Sequence, residues 1–384
     1  MSWHTSRLGD VVTLQRGHDL PEAQRQDGDV PVVSSSGITG SHNEPKAKAP
    51  GVVTGRYGTL GEVFYVDEDY WPLNTALYVT DFKGNHPRFV AYFLQNVLRN
   101  YQSDKAAVPG VNRNVLHELK VRSTDTKSQE KVADILSAYD DLIENNRRRM
   151  ALLEDAARQL YREWFVRLRF PGHEHTRITN GVPEGWRKRS LGEITSKIGS
   201  GFTPRGGESA YLPEGTPLIR SLNVYDDHFG DDGLAFVSED HAAALSGVTV
   251  KSRDILLNIT GASVARCCMA PERYLPARVN QHVMIIRVDS EEADPFFVHK
   301  AINSDERKRQ LLSYSQKGST REALTKEMVA GFEIALPPEV LMRQFGEIAA
   351  PSFRQREVLA LQNQKLRAAR DLLLPRLMSG EIAV

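Results

Sequence analysis

The clearest pattern of apolar and polar positions lies between residues 128 and 165, a stretch without Gly or Pro and rich in strong helix formers. Apolar residues recur there in alternating three- and four-residue steps. This spacing predicts a long helix with an apolar stripe at the 3.5-residue period of coiled coils. Thr126 or Ser128 is a candidate N-cap, and Pro171-Gly172 should end the helical segment. The predicted stripe consists of Val132, Ile135, Tyr139, Leu142, Asn146, Arg149, Leu153, Ala156 and Leu160.

A second stripe follows the first at an offset of 213 residues. We expect Pro351 to start or kink this second helix and Pro375 to lie near its end. Two matched stripes in one chain most simply bury each other, which favours an antiparallel helix pair. The alternative is two unrelated surface helices. The second stripe consists of Phe345, Ile348, Ser352, Gln355, Leu359, Gln362, Leu366, Ala369 and Leu373.

The segments that precede the two helices also resemble each other. The offset between matched positions changes along the chain, as expected when loops are inserted after a duplication. Both mix short β-rich runs with turns and short helices, such as the helix predicted over residues 89–100. The pattern predicts an α+β protein with two similar globular domains, at residues 1–126 and 171–337, and two long helices, at 127–170 and 338–384, packed as an antiparallel coiled coil. Four pairs of segments carry the match: 8–11 with 191–194, 55–58 with 258–261, 73–75 with 279–281, and 110–114 with 318–322.

The composition limits the possible classes of protein. The chain has 384 residues, enough for two domains, and its 49 basic and 49 acidic residues give no net charge that would attract a polyanion in bulk. The only cysteines, Cys267 and Cys268, are adjacent and cannot form a disulfide framework. No apolar run is long enough for a membrane span and the first residues lack a signal core, so we expect a cytoplasmic protein.

The motifs of several enzyme classes are missing. No Asn/Asp-Pro-Pro-aromatic segment for methylating a base amino group and no phosphate-binding Gly-Lys-Ser/Thr loop occurs. His173, Glu174 and His175 follow Pro171-Gly172 without further ligands nearby, and the sequence favours a solvated linker over a metal site. The acidic pairs 226–227 and 231–232 are expected in a solvated turn. We therefore predict no catalytic residue and no metal site, which leaves binding as the function.

The order of segments resembles that of the specificity subunits of type I restriction-modification systems. The residues that carry the resemblance are Gln129 to Asp140 at the start of the first helix, Trp164-Phe165 at its end, Leu336-Pro337-Pro338 before the second helix, and Arg376 to Ile382. The resemblance covers essentially the whole chain. It implies a subunit without a cofactor of its own, which binds two modification subunits that carry S-adenosylmethionine and, where present, restriction subunits that use ATP and Mg²⁺.

Two similar domains at the ends of a rod suit a split DNA target, because each can enter a different major-groove segment. Arg suits guanine, Asn and Gln suit adenine, and Ser and Thr suit several bases. The alternative is that these polar groups close strand-end turns. The candidate DNA-binding residues are Ser34, Ser35, Ser36, Arg56, Tyr57, Asn74, Asn112 and Arg113 in the first domain, and Ser200, Thr203, Arg205, Arg220, Asn223, Thr260, Asn280, Gln281, Lys317, Ser319, Thr320 and Arg321 in the second.

The first long helix also carries candidate partner-binding residues: Arg148, Leu152, Tyr161, Trp164 and Phe165. Large apolar groups exposed together usually mark a protein interface, although these groups can equally pack on the globular domains. We predict a non-enzymatic subunit that binds double-stranded DNA and directs adenine methylation and cleavage by its partners. The alternatives are a standalone nuclease or methyltransferase, and a coiled-coil scaffold without a role at DNA.

Overall fold

The computed structural model describes residues 3–56, 61–99, 101, 112–316 and 323–384. The chain forms two compact units of mixed helix and sheet. The first unit comprises residues 1–145 and 362–384, and the second comprises residues 146–361. Candidate residues Tyr57, Lys317, Ser319, Thr320 and Arg321 lie outside the described residues. The predicted α+β class is confirmed.

The first unit contains two main sheets and a two-stranded ribbon. The larger sheet has the order β2-β8-β5-β6 and is antiparallel throughout. The smaller sheet has the order β4-β3-β7, in which β3 and β7 are parallel, and β1 pairs with β9. The strands are β1 His4–Arg7, β2 Thr13–Arg16, β3 Val30–Ser34, β4 Gly37–His42, β5 Gly51–Gly55, β6 Val63–Val66, β7 Trp71–Pro72, β8 Ala76–Asp81 and β9 Lys120–Ser123, and the helices are α1 Leu8–Val11, α2 Pro87–Arg99 and α3 Arg113–His117.

The second unit also contains two main sheets, with the orders β13-β20-β17-β18 and β15-β14-β19-β16, and two ribbons, β10-β11 and β12-β21. Its strands are β10 Ile178–Thr179, β11 Val182–Pro183, β12 Arg187–Ser190, β13 Thr195–Ser200, β14 Thr216–Ile219, β15 Ala235–Val237, β16 Thr249–Val250, β17 Ile255–Asn258, β18 Cys267–Met269, β19 Ala277–Val279, β20 Val283–Val288 and β21 Glu333–Leu336. Helix α4, Thr126–Tyr161, has residues in both units and is followed by a π-helical turn, Arg162–Val166. The later helices are α5 Glu239–Ala244, α6 Pro295–Asn303, α7 Asp305–Gln316, α8 Lys326–Ala330 and α9 Glu339–Ser379.

The two units share one topology. The antiparallel order β2-β8-β5-β6 recurs as β13-β20-β17-β18, and the parallel pair β3·β7 recurs as β14·β19. A helix with Pro at its first position follows a strand of each four-stranded antiparallel sheet: α2 begins at Pro87 after β8, and α6 begins at Pro295 after β20. The backbone N–H of Leu8 donates to Leu119, and that of Leu191 donates to Phe332, both at 2.9 Å. The predicted internal repeat is therefore present in the fold.

The predicted match of residues 73–75 with 279–281 is wrong by one position. The N–H of Leu73 donates to Val33 as that of Asn280 donates to Ile219, so residue 73 corresponds to 280 and residue 74 to 281.

The predicted match of residues 110–114 with 318–322 falls largely outside the described residues, which include neither 110–111 nor 318–322. Beside these gaps, Asn112 caps helix α3, its side chain accepting a hydrogen bond from the N–H of Asn114 at 2.9 Å. Thr325 caps α8 in the second unit, where it accepts from the N–H of Met328 at 3.2 Å. Each cap starts the short helix that precedes β9 or β21.

The buried stripes of the two long helices differ from the predicted ones at every second position. In α4, Ile135 and Leu142 are 37% and 50% exposed, whereas the next residues, Leu136 and Ile143, are buried. In α9, Ile348 is exposed and Ala349 is buried. The burial moves to the next residue in both helices, so the two buried stripes still match at the offset of 213 residues. Helix α9 begins at Glu339 and continues through the exposed Pro351, so the expectation that Pro351 starts it is wrong.

Helix α4 begins after Asp125 and not at the predicted caps. Asp125 accepts hydrogen bonds from the backbone N–H of Ser128 at 3.0 Å and from its hydroxyl at 2.9 Å. These bonds satisfy donors that the first helical turn leaves unpaired. They lower the pKa of the Asp125 carboxyl to about 2.

Within each unit, α4 and α9 contact each other in opposite chain directions. In the first unit Asp140 forms an ion pair with Arg370, and the carbonyl of Ile143 accepts a hydrogen bond from Asn363 at 3.3 Å. In the second unit Glu154 pairs with Arg356, and the Tyr161 ring centroid lies 6.0 Å from that of Phe345. Residues 374, 377 and 378 of α9 belong to the apolar core of the first unit, together with residues 132 and 136 of α4.

Candidate nucleic-acid interface

In each unit some of the polar candidates lie where the four-stranded antiparallel sheet meets a tight turn: Arg56 and Asn74 in the first unit, and Thr260, Asn280 and Gln281 in the second. The turns are residues 73–75, before β8, and 280–282, before β20. In the second unit the N–H of Asn280 donates to Ile219 at the end of β14, and in the first the N–H of Leu73 donates to Val33 near the end of β3. The same main-chain hydrogen bond therefore supports each turn. We call residues 73–75 the first recognition turn and residues 280–282 the second.

A glycine packs against each recognition turn. A Cβ atom on Gly17 would lie 2.2 Å from the carbonyl oxygen of Leu73, and one on Gly201 would lie 1.8 Å from that of Val279. Such distances exclude any side chain, so only glycine allows the strand to pass this close to the turn. These glycines were not among the predicted residues, because their role depends on the approach of a distant segment.

A chain of side-chain hydrogen bonds crosses the second recognition turn. Thr203 donates to Oε1 of Gln281 at 2.5 Å, and Nε2 of Gln281 donates to Nε2 of His282 at 3.0 Å. On the other side of the imidazole ring, Nδ1 of His282 lies 2.6 Å from Oγ1 of Thr260, which extends the chain of hydrogen bonds to the end of β17. Asn280 fixes the turn itself, since its Oδ1 accepts from the N–H of His282 at 3.0 Å.

The first recognition turn has a shorter version of the same arrangement. Nδ2 of Asn74 donates to the carboxylate of Asp19, which lies two residues after Gly17, as Thr203 lies two residues after Gly201. The N–H of Arg56 donates to Thr75 at 3.1 Å, which joins the end of β5 to the turn. His282 and Asp19 were not among the predicted residues, although His282 directly follows the candidates Asn280 and Gln281.

Several other candidates have structural roles. Ser34 is buried in the hairpin between β3 and β4, where its Oγ contacts Oγ of Ser36 at 3.0 Å and donates to Gly37, while Ser35 is half-buried beside it. Asn223 is fully buried and donates to the carbonyls of Gly230 and Asp232. For Ser34 and Asn223 the structure favours the alternative that these polar groups close their own loops, because backbone groups there occupy their side chains.

The remaining candidates are half-buried or exposed. Arg220 donates to the carbonyl of Gly233 at 2.6 Å and lies over the ring of Tyr211. Ser200 ends β13 and is half-buried, and Thr203 is exposed. Arg113 and Arg205 are also exposed, so their guanidinium groups are accessible to a ligand.

For the aromatic members of the predicted partner surface on α4, the structure favours the alternative that they pack on a globular unit. Phe165 is 8% exposed, and its ring lies 4.8 Å from that of Phe297 and 5.3 Å from that of Phe345. Tyr161 and Trp164 are half-buried against the same cluster, because burying aromatic area in the unit's own core is favourable. Leu152 is 69% exposed and Arg148 is exposed, so these two candidates stay accessible.

The predicted solvated turn at residues 226–227 is wrong for Asp227, which is buried in a charge network. Its Oδ1 accepts from Lys300 at 3.0 Å and from Asn303 at 2.8 Å, and Lys300 also pairs with Glu154. Although burial favours the neutral acid, the charge of Lys300 holds the pKa of Asp227 below its usual range. Burial dominates at Glu154 and raises its pKa.

Two searches of the described residues gave negative results. No group of three or more His, Cys, Asp or Glu side chains in these residues has a metal-binding arrangement. Within the same ranges, no helix is both long and apolar enough to span a bilayer.

Comparisons with known proteins agree with the resemblance found in the sequence. Residues 1–155 match the model of the type I restriction modification DNA specificity domain. The MjaIX specificity subunit of a type I restriction enzyme from Methanocaldococcus jannaschii is 27% identical over 300 residues, which cover 73% of this chain and 65% of that protein. The HindI specificity subunit from Haemophilus influenzae is 21% identical over 84% of each chain.

A solved structure shows the same fold. The crystal structure of the S subunit of a type I restriction-modification system from M. genitalium superposes with a TM-score of 0.62, at 16% identity, over 98% of this chain and 96% of the other. The chain spans slightly less than two thirds of the MjaIX subunit but nearly all of this structure. The predicted resemblance to type I specificity subunits is confirmed.

Proposed function

We propose that this chain is the DNA-recognition subunit of a type I restriction-modification system. It binds a bipartite target in double-stranded DNA, and each unit recognises one half-site through its recognition turn and the neighbouring loops. It directs adenine methylation by modification subunits and cleavage by restriction subunits, without catalysing either reaction. The observation that carries the proposal is the duplicated topology, which presents equivalent polar turns in both units.

The two long helices set the distance between the half-sites. In this proposal residues 1–126 and 171–337 are the recognition domains, and residues 127–170 and 338–384 form an antiparallel coiled coil between them. The opposite chain directions of the α4 and α9 contacts within each unit support this arrangement. The 36 residues of α4 correspond to about 54 Å, or about one and a half turns of B-DNA. The bases between the half-sites are therefore spanned and not recognised.

The charge distribution explains why partners are needed. None of the four segments departs from neutrality by more than two charges. Neutralisation of phosphates supplies much of the affinity of DNA-binding proteins, so the isolated chain should bind weakly. Two modification subunits that carry S-adenosylmethionine supply the missing positive charge, and Arg148 and Leu152 belong to the surface that they contact. Restriction subunits add ATP- and Mg²⁺-dependent cleavage in the same cytoplasmic complex.

The candidate side chains divide into direct and supporting contacts. Those proposed to contact DNA directly are accessible or lie at the recognition turns: Arg56, Asn74, Arg113, Thr203, Arg205, Arg220, Thr260 and Gln281. Ser200, Asn280 and Asn112 support the turns and the loop ends beside them.

Mapping methylated adenines in DNA from a host that expresses this chain with its modification subunits tests the proposal. We expect adenine methylation at one split motif with a fixed gap, and its loss when the gene for this chain is deleted. Methylation or cleavage by the purified chain alone would instead support a standalone enzyme. An unchanged methylation pattern after deletion, together with no sequence-dependent footprint of the reconstituted complex, would support a scaffold.

A further inference from the structure

We infer that each unit recognises an adenine through a carboxamide that its recognition turn holds in place: Gln281 in the second unit and Asn74 in the first. His282 is the positioning residue that orients Gln281. The inference rests on the proposed function and specifies the base that the two turns select.

The hydrogen bonds of Gln281 within the protein leave part of its carboxamide unused. A carboxamide has two N–H donors and a carbonyl oxygen with two lone pairs. Thr203 uses one lone pair and His282 uses one N–H, at 2.5 and 3.0 Å. One donor and one acceptor are left on a half-buried side chain. The major-groove edge of adenine needs this combination, because its N7 accepts and its N6 amino group donates.

The contacts on both sides of Gln281 hold its amide in place. Thr203 contacts one end of the amide and His282 the other, and Nδ1 of His282 lies 2.6 Å from Oγ1 of Thr260. Turning the amide over would require every proton in this chain of bonds to reverse its direction, and it would again leave one donor and one acceptor of the amide unused. The side chain is therefore held before DNA binds, which lowers the entropy cost of recognition.

The first unit provides an independent observation. Asn74 donates one N–H to Asp19, which leaves the second N–H and the carbonyl oxygen for a ligand. Asp19 and Thr203 occupy equivalent positions, each two residues after the glycine that packs against the turn. A carboxamide anchored at one place in the fold thus occurs in both units, because Asn74 and Gln281 are each the middle residue of their recognition turn.

The test is a selection of random-sequence duplex DNA by the full chain assembled with its modification subunits. For the wild type we expect two specific blocks with a fixed gap. Gln281→Ala should remove the preference for adenine at one position of one block, a preference of about 5- to 140-fold for a bidentate contact. Gln281→Glu should change the preference at that position to cytosine, because a carboxylate accepts from the cytosine amino group. Asn74→Ala should act on the other block alone.

The positioning role of His282 has its own measurement. His282→Phe should broaden the same position as Gln281→Ala, and the double variant should be no broader there than Gln281→Ala alone, because His282 acts through Gln281. Control variants are Asn180→Gly, which removes an exposed carboxamide from the turn between β10 and β11, and His175→Phe in the exposed connector. Both should select the same DNA as the wild type.

The outcomes separate this inference from the proposed function. The unaltered block reports that the variant complex is folded and assembled. If Gln281→Ala weakens binding to all sequences equally, or Gln281→Glu keeps the preference for adenine, the inference is overturned while the proposed function stands. If the wild-type complex selects no split motif, the proposed function fails instead.

Discussion

The charge network of the second unit gives the sharpest prediction about stability. Glu154 is the one carboxylate in it that contacts both Lys300 and Arg356 through its side chain, and these three side chains are 10%, 8% and 12% exposed. Replacing Glu154 with Gln keeps the shape but removes the negative charge between two buried cations. An uncompensated buried charge costs about 3–5 kcal/mol of the free energy of unfolding.

The structure places the expected cost at the lower end of that range. Lys300 keeps Asp227 at 3.0 Å, and Arg356 keeps the backbone carbonyl of Asp227 at 2.5 Å. We therefore expect Glu154→Gln to destabilise the second unit by about 3 kcal/mol, or about 6–12 °C in melting temperature. Adding Lys300→Met should recover part of this loss, because without Glu154 the two cations have to share the single carboxylate of Asp227.

Calorimetry of the full chain, combined with hydrogen exchange of the peptide that covers α6, measures both effects. Helix α6 carries Lys300, so its amides should lose protection in Glu154→Gln before those of α2 in the first unit. A decrease of less than about 0.5 kcal/mol in the free energy of unfolding of Glu154→Gln would show that water screens the charges of the network. Additive losses in the double variant would show that the two charges do not interact, and either result would refute the reasoning.

Three further predictions follow from other features. Gly201→Ala should abolish selection at the second half-site and keep it at the first, because the added Cβ would lie 1.8 Å from a carbonyl oxygen of the turn; DNA selection by the assembled complex measures this. Asp125→Ala should lower the melting temperature at neutral pH, because α4 loses its N-cap. The depressed pKa of Asp125, about 2, means that this difference is complete above about pH 4 and shrinks as the pH falls toward 2, in melting curves recorded at each pH. Exchanging residues 1–125 for those of another specificity subunit should change one half-site only, and a changed gap in the methylated motif would contradict the modular proposal.

The sequence predicted the repeat and the long helices well because both depend on local pattern. It placed half of the helix stripe wrongly, since α4 has adjacent apolar pairs at 135–136 and 142–143. The period alone cannot choose between the members of such a pair, and the packing against α9 and the sheets decides. The recognition turns were found from matched segments, but Gly17 and Gly201 pack against segments that are distant in the sequence, and His282 contacts Thr260, which lies 22 positions away. Asp227 looked solvated because its ion-pair partners, Arg158 and Lys300, lie on two distant helices.

The first unit takes part of its core from the far end of the sequence. Leu374, Leu377 and Met378 pack in the cluster that contains Leu94 and Leu136. During translation the ribosome synthesises the whole second unit between these two parts of the first unit, which takes about 10 to 45 s at about 5–20 residues per second. During that interval the nascent first unit exposes an apolar face that its own chain cannot yet cover. The later unit can therefore close before the earlier one, and chaperone demand should be concentrated on residues 1–145 during synthesis.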